Sequence, residues 1–161
     1  MKISLRFKIN HLLLLALCAA CLLASPAAGE SYRCEPTPED EMGPFYRPDA
    51  PLRNTVGNGY LLMGTVTSAS DCNPIATARI ELWMTGPQGR YGDDWRATLF
   101  SADNGRYFFE SHPPTEFGSR LPHIHIRVTA EGFAPLVTQH YPLENAGEGQ
   151  FDLVLVPLSR E

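Results

Sequence analysis

Two histidines separated by a single residue, His123 and His125, are the most informative chemical pattern in the 161-residue sequence. They lie in the segment 120–128, where apolar and polar residues alternate as they do in a β-strand. Positions i and i+2 of a strand point to the same face, so we expect the two imidazoles to stand side by side. Such a pair can bind a metal ion, but two histidines can also face solvent or end a strand.

A metal site would need a third ligand from elsewhere in the chain. The candidates are Tyr91, Asp93, Asp94, His112 and His140. On spacing alone, Tyr91 in the segment 86–92 is better explained as a packed loop aromatic than as a ligand. A phenol has a pKa of about 10, so it binds only to a strongly Lewis-acidic metal. A tyrosine ligand would therefore favour ferric iron over zinc.

The chain that must position these residues contains six or seven short β-rich runs after an aperiodic, Pro- and Gly-rich arm at 30–58. The runs cover 60–67, 78–84, 98–100, 107–110, 123–129, 136–140 and 151–156. Asn104 and Gly105 form the strongest short hairpin signal. No amphipathic helix is evident, so the sequence predicts an all-β, Greek-key β-sandwich of short antiparallel strands with an extended N-terminal arm.

The N-terminus has the layout of a secretory signal peptide. Three basic residues precede an apolar run at 12–24, which is shorter than the roughly 20 residues of a spanning helix. Small residues follow, and cleavage is expected after Ala27 or Gly29, with lipid attachment at Cys21 as a weaker alternative. The sequence thus predicts a signal peptide over 1–29, no stable membrane span in the mature chain, and a periplasmic or extracellular protein.

Residues 30–161 are predicted to form one domain with an acidic surface. They hold 10 Arg, no Lys and 18 acidic residues, a formal charge of about −8, which argues against nucleic acid or an anionic membrane as partners. The two cysteines of this part, Cys34 and Cys72, are expected to pair in an oxidising compartment. Two unrelated free thiols are the alternative.

Several blocks carry a resemblance to a known family, and they occur in the family's order along nearly the whole mature chain. They are 34–38, 43–46, 72–83, 89–91, 103–109, 120–125 and 138–141. The sequence resembles the intradiol ring-cleavage dioxygenases, the non-haem ferric enzymes that open catechols between their two hydroxyls. It is most similar to the small secreted branch of that family, for which the same β-sandwich is expected.

The resemblance implies roles for individual residues. Tyr91, His123 and His125 would bind Fe(III). Arg120 and Gln139 would lie next to the bound catecholate, where negative charge develops. Cys34 and Cys72 would form the disulfide of the secreted branch, and Tyr46 matches an aromatic near the pocket for which packing is the expected role.

The resemblance also implies the reaction and the partners. Both atoms of O₂ would be inserted into a catecholic aromatic to give a muconate-type diacid. Family enzymes are often dimers or larger, but the secreted branch lacks their helical dimer arm. A monomer or weak homodimer is therefore expected, with a small catechol and O₂ as the partners.

One position departs from the family pattern. The family places a second tyrosine ligand three residues before the arginine, and Phe117 occupies that position here. The change removes one negative ligand and one base, and leaves more open metal positions. Three other residues are weaker substitutes for the missing ligand. On an extended segment, the side chain of Glu116 would point away from that of its neighbour Phe117. His112 and His140 are expected to be structural or solvent-facing. Water or hydroxide could fill the position instead.

Three functional hypotheses follow. The first is an oxygenase for a catecholic aromatic with a three-protein-ligand iron site. The second is a copper or zinc protein, because an N/N/O site with open positions binds Cu(II) more tightly than Fe(II). The third is a secreted binding protein in which Phe117 forms an apolar wall for an aromatic ligand. Loss of Tyr91 would abolish metal colour under the first hypothesis and matter little under the third.

Overall fold

Eight β-strands follow an extended arm in the computed structural model, which describes residues 31–159. The strands are β1 (Tyr60–Ser68), β2 (Arg79–Thr85), β3 (Tyr91–Phe100), β4 (Arg106–Ser111), β5 (Ile124–Thr129), β6 (Leu136–His140), β7 (Glu148–Gln150) and β8 (Leu153–Leu155). The predicted signal peptide over 1–29 lies outside the described residues. Within 31–159, no helix is long and apolar enough to cross a membrane.

The strands form two four-stranded sheets, which confirms the predicted β-sandwich. One sheet has the order β4-β1-β7, with β8 also paired to β1, and the other has the order β3-β2-β5-β6. The second sheet is antiparallel throughout. In the first sheet, β7 and β8 pair with β1 in parallel, so this sheet is mixed where antiparallel strands alone were expected.

The prediction of a hairpin at Asn104–Gly105 is wrong. These residues do form a turn, in which the Gly105 amide donates to the oxygen of Ala102 over 2.8 Å. The turn carries the chain from β3 in one sheet to β4 in the other, where β4 pairs with β1. With β4 in this position, Tyr107 and Phe109 are buried in the core, where their apolar surface stabilises the pairing.

The core lies between the two sheets. Ile80, Leu82 and Met84 of β2 are fully buried there, as their alternation predicted. Glu81 and Trp83 point to the opposite face of the same strand and are also buried, with 2% of each exposed. Both faces of this sheet are therefore covered, one by the partner sheet and the other by the arm.

The arm crosses the outer face of the second sheet from β6 to β3. The Asp40 amide donates to the oxygen of Val137 in β6 over 2.9 Å. The Thr98 amide in β3 donates to the oxygen of Pro51 over 2.8 Å. Between these two points the hydroxyl of Tyr46 lies 3.3 Å from both carboxylate oxygens of Glu81 in β2.

The predicted Cys34–Cys72 disulfide is present, with the Cα atoms 5.5 Å apart. It joins the start of the arm to the connection between β1 and β2. The amide of Cys34 also donates to the oxygen of Ala69, over 3.0 Å. These contacts fix the position from which the arm begins its path across the sheet.

Candidate metal centre

A row of side chains crosses the arm-covered face of the second sheet. Trp83 of β2 is paired in register with His125 of β5, and His125 is paired with Gln139 of β6. Directly paired residues of neighbouring strands point to the same face, so the three side chains lie next to one another. The indole of Trp83 stacks on the imidazole of His125, with centroids 4.9 Å apart and an interplanar angle of 2°.

Three donor atoms converge at this row. The hydroxyl oxygen of Tyr91 lies 3.1 Å from Nε2 of His123 and 3.1 Å from Nε2 of His125. The two Nε2 atoms are themselves 3.1 Å apart. The three residues proposed as ligands therefore present their donor atoms at the corners of an equilateral triangle, and the two histidines share a face as their spacing predicts.

Both histidines can offer the lone pair of Nε2 to a metal ion. Nδ1 of His123 lies 2.7 Å from the backbone oxygen of Leu121, and a carbonyl only accepts, so Nδ1 carries the proton and Nε2 faces the triangle. Burial lowers the pKa of His123, and burial together with the neighbouring His123 lowers the pKa of His125 to about 4. Both imidazoles are therefore neutral at neutral pH, the state that binds a metal.

Tyr91 is the first residue of β3, not the loop residue that its spacing indicated. The tight turn before it contains Gly89 at φ +68° and is closed by the Gly86 amide donating to the oxygen of Arg90, over 2.8 Å. This turn directs the phenol toward the histidines. Burial raises the pKa of Tyr91, while the charge of Arg120 lowers it. Only a strongly Lewis-acidic metal would hold this group as a phenolate.

The donor set fits a metal ion. A point about 2.0–2.1 Å from all three atoms, the usual metal–nitrogen bond length, lies roughly 1 Å above a triangle with 3.1 Å edges. Within residues 31–159, no group of three His, Cys, Asp or Glu side chains could hold a metal, so the candidate centre depends on tyrosine.

Arg120 and Gln139 lie together beside the triangle, as the resemblance implied. Nη2 of Arg120 donates to Oε1 of Gln139 over 2.8 Å and to the hydroxyl of Tyr141 over 3.1 Å. Tyr141 in turn donates to a carboxylate oxygen of Asp40 over 3.1 Å. The side-chain nitrogen Nε2 of Gln139 donates to the backbone oxygen of Glu41 over 2.7 Å. The arm thus holds the glutamine that accepts from the guanidinium.

The rings of Phe45, Tyr91 and Phe117 form an aromatic cluster at the Tyr91 corner of the triangle. Phe45 of the arm stacks on Tyr91, with centroids 4.3 Å apart. Phe117 contacts both rings edge-on, at 5.2 Å from Tyr91 and 5.1 Å from Phe45. The side chain at position 117 therefore lies next to the phenol of Tyr91.

The arm also approaches the histidines closely. Gly43 has φ +68°, and a Cβ at this position would lie 3.2 Å from Cε1 of His125. A larger residue there would be strained by its backbone conformation and would press on the imidazole.

The other candidate ligands are not part of the site. Asp93 is exposed and pairs with Arg96 over 2.8 Å and with Arg47, and Asp94 and Glu116 are exposed. His112 is buried with Nε2 2.8 Å from the oxygen of Thr85. His140 faces away from Gln139, as its strand position predicted. Its Nε2 lies 2.6 Å from the hydroxyl of Tyr60 in the core, so it is structural and not solvent-facing.

Four residues near the site were not assigned to it from the sequence: Asp40, Phe45, Trp83 and Tyr141. Tyr141 had a usable signal, since it follows Gln139 at i+2 and so belongs to the same face. Asp40 had none, because its position depends on the path of an aperiodic arm. Tyr46 packs on Trp83 with centroids 5.1 Å apart, in keeping with its expected packing role.

Comparison with known proteins gives a consistent picture. No family model matches the chain. The chain is similar to hydroxyquinol 1,2-dioxygenase of Rhodococcus opacus, with 30% identity over 144 residues, covering 69% of this chain and 47% of that protein. It is also similar to catechol 1,2-dioxygenase of Candida albicans, with 26% identity over 159 residues, covering 76% and 52%. The chain spans about half the length of these relatives.

Solved structures show the same architecture. The dioxygenase domain of a dioxygenase–carbohydrate-binding protein fusion from Streptomyces sp. SirexAA-E matches with a TM-score of 0.70 and 26% identity, covering 77% of this chain and all of that domain. An intradiol ring-cleavage dioxygenase from Tetranychus urticae matches with a TM-score of 0.70 and 19% identity, covering 80% and 98%. The relatives and structural neighbours of this chain are thus intradiol ring-cleavage dioxygenases.

Proposed function

We propose that this chain is an exported intradiol dioxygenase of the small secreted type, which opens a catecholic ring between its hydroxyls. Ferric iron would be held by Tyr91, His123 and His125. The observation that carries the proposal is the triangle of their donor atoms, with all three edges at 3.1 Å. The similarity to catechol and hydroxyquinol dioxygenases supports the substrate class.

The residues around the triangle have distinct tasks in this reaction. The guanidinium of Arg120 lies beside the site and stabilises the negative charge of the bound catecholate and of the opening ring. Gln139 holds the guanidinium in place through the 2.8 Å hydrogen bond. Phe45, Tyr91 and Phe117 form an apolar wall that orients the aromatic ring and excludes water on that side.

Bound ferric iron supplies the Lewis acidity and the redox capacity that the reaction of a catechol with O₂ requires. The overall reaction inserts both oxygen atoms into the ring and yields a muconate-type diacid. Phe117 offers no base where the family has its second tyrosine. We infer that solvent hydroxide takes up the protons that the catechol hydroxyls release.

The expected location follows from the predicted signal peptide over 1–29, with cleavage after Ala27 or Gly29. A Cys34–Cys72 disulfide is in keeping with an oxidising periplasmic or extracellular compartment. A monomer or weak homodimer is proposed, as for the secreted branch.

The test is metal analysis and a visible spectrum of the oxidised protein, before and after catechol is added under air. We expect near-stoichiometric iron, a phenolate-to-iron absorption band, and decay of catechol as a muconate-type product appears. Tyr91→Phe should remove the band. The matched control Tyr46→Phe, which removes the phenol that contacts Glu81 instead, should keep it.

The alternatives predict different results. A colourless protein that carries copper or zinc would favour a metalloprotein of other chemistry. A metal-free protein that is inert toward catechol after iron loading would favour an aromatic-binding protein. In that case the contact of Phe117 with Phe45 and Tyr91 would be the wall of its ligand pocket.

A further inference from the structure

The guanidinium of Arg120 is held by two neutral groups and not by an ion pair. Its Nη2 donates to Oε1 of Gln139 over 2.8 Å and to the hydroxyl oxygen of Tyr141 over 3.1 Å. Within the part of the chain that the structure describes, no carboxylate forms an ion pair with Arg120. Its positive charge is therefore not offset by a direct contact and stays available to an anion beside it.

One carboxylate, that of Asp40 in the arm, lies behind both of these acceptors. Its Oδ2 accepts from the hydroxyl of Tyr141 over 3.1 Å, and its Oδ1 accepts from Nε2 of Gln139 over 3.2 Å. Oδ1 also accepts from the backbone amide of Glu41 over 2.6 Å. The Asp40 amide donates to the oxygen of Val137 in β6, which holds this part of the arm beside the strand that carries Gln139.

The carboxylate sets the direction of both hydrogen bonds to Arg120, because an ionised carboxylate can only accept. Tyr141 has one hydroxyl proton, and donating it to Asp40 leaves the lone pairs of the oxygen for Arg120. The hydroxyl also lies 3.1 Å from Oε1 of Gln139, but the carboxylate is the stronger acceptor.

The amide of Gln139 is oriented in the same way. Its Nε2 faces two acceptors, the carboxylate of Asp40 and the backbone oxygen of Glu41. Its Oε1 must then face the guanidinium, to which it is 2.8 Å distant. Asp40 thus makes acceptors of two side chains that could each also have donated.

We propose that Asp40 is a positioning residue, which holds the guanidinium of Arg120 beside the candidate metal centre through Tyr141 and Gln139 without neutralising it. A carboxylate in direct contact would also hold the guanidinium, but it would offset the charge that attracts a catecholate. The consequence for catalysis rests on the proposed function. The fixed guanidinium is a property of the protein without metal or substrate.

Asp40→Asn tests the proposal with the least change of shape. It replaces one carboxylate oxygen by an NH₂ group that only donates, so Tyr141 or Gln139 loses its acceptor. Glu39→Gln is the matched control, since it removes the same charge from an exposed neighbouring position of the arm. Tyr141→Phe removes the connecting hydroxyl and covers the case in which Asp40→Asn fails to fold.

The first measurement is the ¹H–¹⁵N heteronuclear NOE of the Nε–H group of Arg120 in the metal-free, oxidised protein, with Arg120→Lys to assign the signal. We expect a value close to that of the ordered backbone in the unsubstituted protein. It should decrease clearly in Asp40→Asn and in Tyr141→Phe, because the guanidinium is then free to reorient. It should not change in Glu39→Gln.

The second measurement is steady-state kinetics on the iron-loaded protein. Asp40→Asn should lower kcat roughly tenfold and change KM by less than about twofold, because the guanidinium acts on charge that develops during the reaction. Asp40→Glu, which keeps an acceptor-only carboxylate, should retain more activity than Asp40→Asn. Iron content and the phenolate-to-iron band should be unchanged in both, whereas a general loss of structure would alter them.

A double substitution shows whether the two residues act through the same group. Asp40→Asn combined with Tyr141→Phe should lose no more kcat than the larger of the two single losses, because both act through one guanidinium. Losses that multiply would mean that Asp40 affects the reaction by another path.

Three further results would overturn the proposal. One is an Arg120 signal that is as ordered in Asp40→Asn and Tyr141→Phe as in the unsubstituted protein. Another is an equal decrease in Glu39→Gln, because the effect would then come from the charge of the arm and not from the contacts of Asp40. The third is an unchanged kcat in Asp40→Asn. A protein that shows the expected NOE pattern but does not cleave catechol would support the positioning of Arg120 and refute only the dioxygenase activity.

Discussion

The ring of Phe117 lies edge-on to the phenol of Tyr91, with centroids 5.2 Å apart and an interplanar angle of 71°. A residue that cannot bind a metal is thus in contact with one whose oxygen is 3.1 Å from two imidazole nitrogens. A phenol at position 117 would therefore lie beside the oxygen of Tyr91, which makes this position a direct test of the proposed iron site.

Phe117→Tyr should restore a second phenolate to the centre. An added anionic oxygen ligand stabilises ferric iron, so we expect the iron dissociation constant to fall by about tenfold, or 1.4 kcal/mol, and the phenolate-to-iron band to intensify. Chelator competition and the visible spectrum measure both effects. The control is Phe108→Tyr, at a residue of β4 that is 52% exposed. Unchanged iron affinity and colour in Phe117→Tyr would show that position 117 does not reach the metal.

Arg120→Lys should lower kcat more than it changes KM. Both hydrogen bonds, to Gln139 and Tyr141, come from Nη2 of Arg120. Lysine keeps the positive charge, but its shorter side chain ends in a compact ammonium that does not carry the charge to the position of Nη2. We expect a loss of kcat of roughly 100-fold, as for other groups that stabilise developing negative charge. Steady-state kinetics on the iron-loaded protein test this, with Arg90→Lys as control. A change confined to KM would mean that Arg120 only binds the substrate.

His140 should make the fold sensitive to acid. Burial lowers its pKa to about 4 in the folded state, against 6.5 for the free side chain. The unfolded chain therefore binds a proton that the folded chain does not, and this stabilisation is complete above about pH 6.5 and lost as the pH falls toward 4. The loss amounts to roughly 3 kcal/mol.

The comparison that isolates this contribution uses His140→Gln, which keeps hydrogen-bonding capacity toward Tyr60 but does not titrate. Urea unfolding of both proteins at about pH 7 and about pH 4 should show a smaller acid-induced loss in the variant. Equal losses would assign the acid sensitivity to the other buried histidines.

The double substitution Cys34→Ser and Cys72→Ser should destabilise the fold. The disulfide closes a loop over a sequence separation of 38 residues, and its removal releases loop entropy worth about 4 kcal/mol. Urea unfolding of the variant should show a lower midpoint, and reduction of the natural protein should have the same effect. An unchanged midpoint would mean that the contacts of the arm with the sheet already fix its start.

Local patterns in the sequence were sufficient to predict several features of the structure. The i, i+2 spacing of His123 and His125 places both imidazoles on one face, because side chains alternate along a strand. The alternation of Ile80, Leu82 and Met84 assigns their face to the core for the same reason. The cysteine pairing required only that two cysteines remain after the predicted signal peptide.

Other features depended on long-range pairing. The turn at Asn104–Gly105 carries local hairpin chemistry, yet β4 pairs with β1 of the other sheet, and in that pairing Tyr107 and Phe109 are buried in the core. Likewise, nothing local in residues 34–58 indicates that Asp40 reaches Tyr141. That contact exists because the arm follows the outer face of the sheet.

The sequence by itself thus determined which residue types and faces are available: a strand with two histidines, a tyrosine outside it, and an arginine and a glutamine nearby. Only the tertiary structure decided that the oxygen of Tyr91 and the two Nε2 atoms meet at 3.1 Å. The physical reason is that periodicity encodes the face of one strand, whereas convergence depends on the register between strands. That register is set by the burial of the whole core.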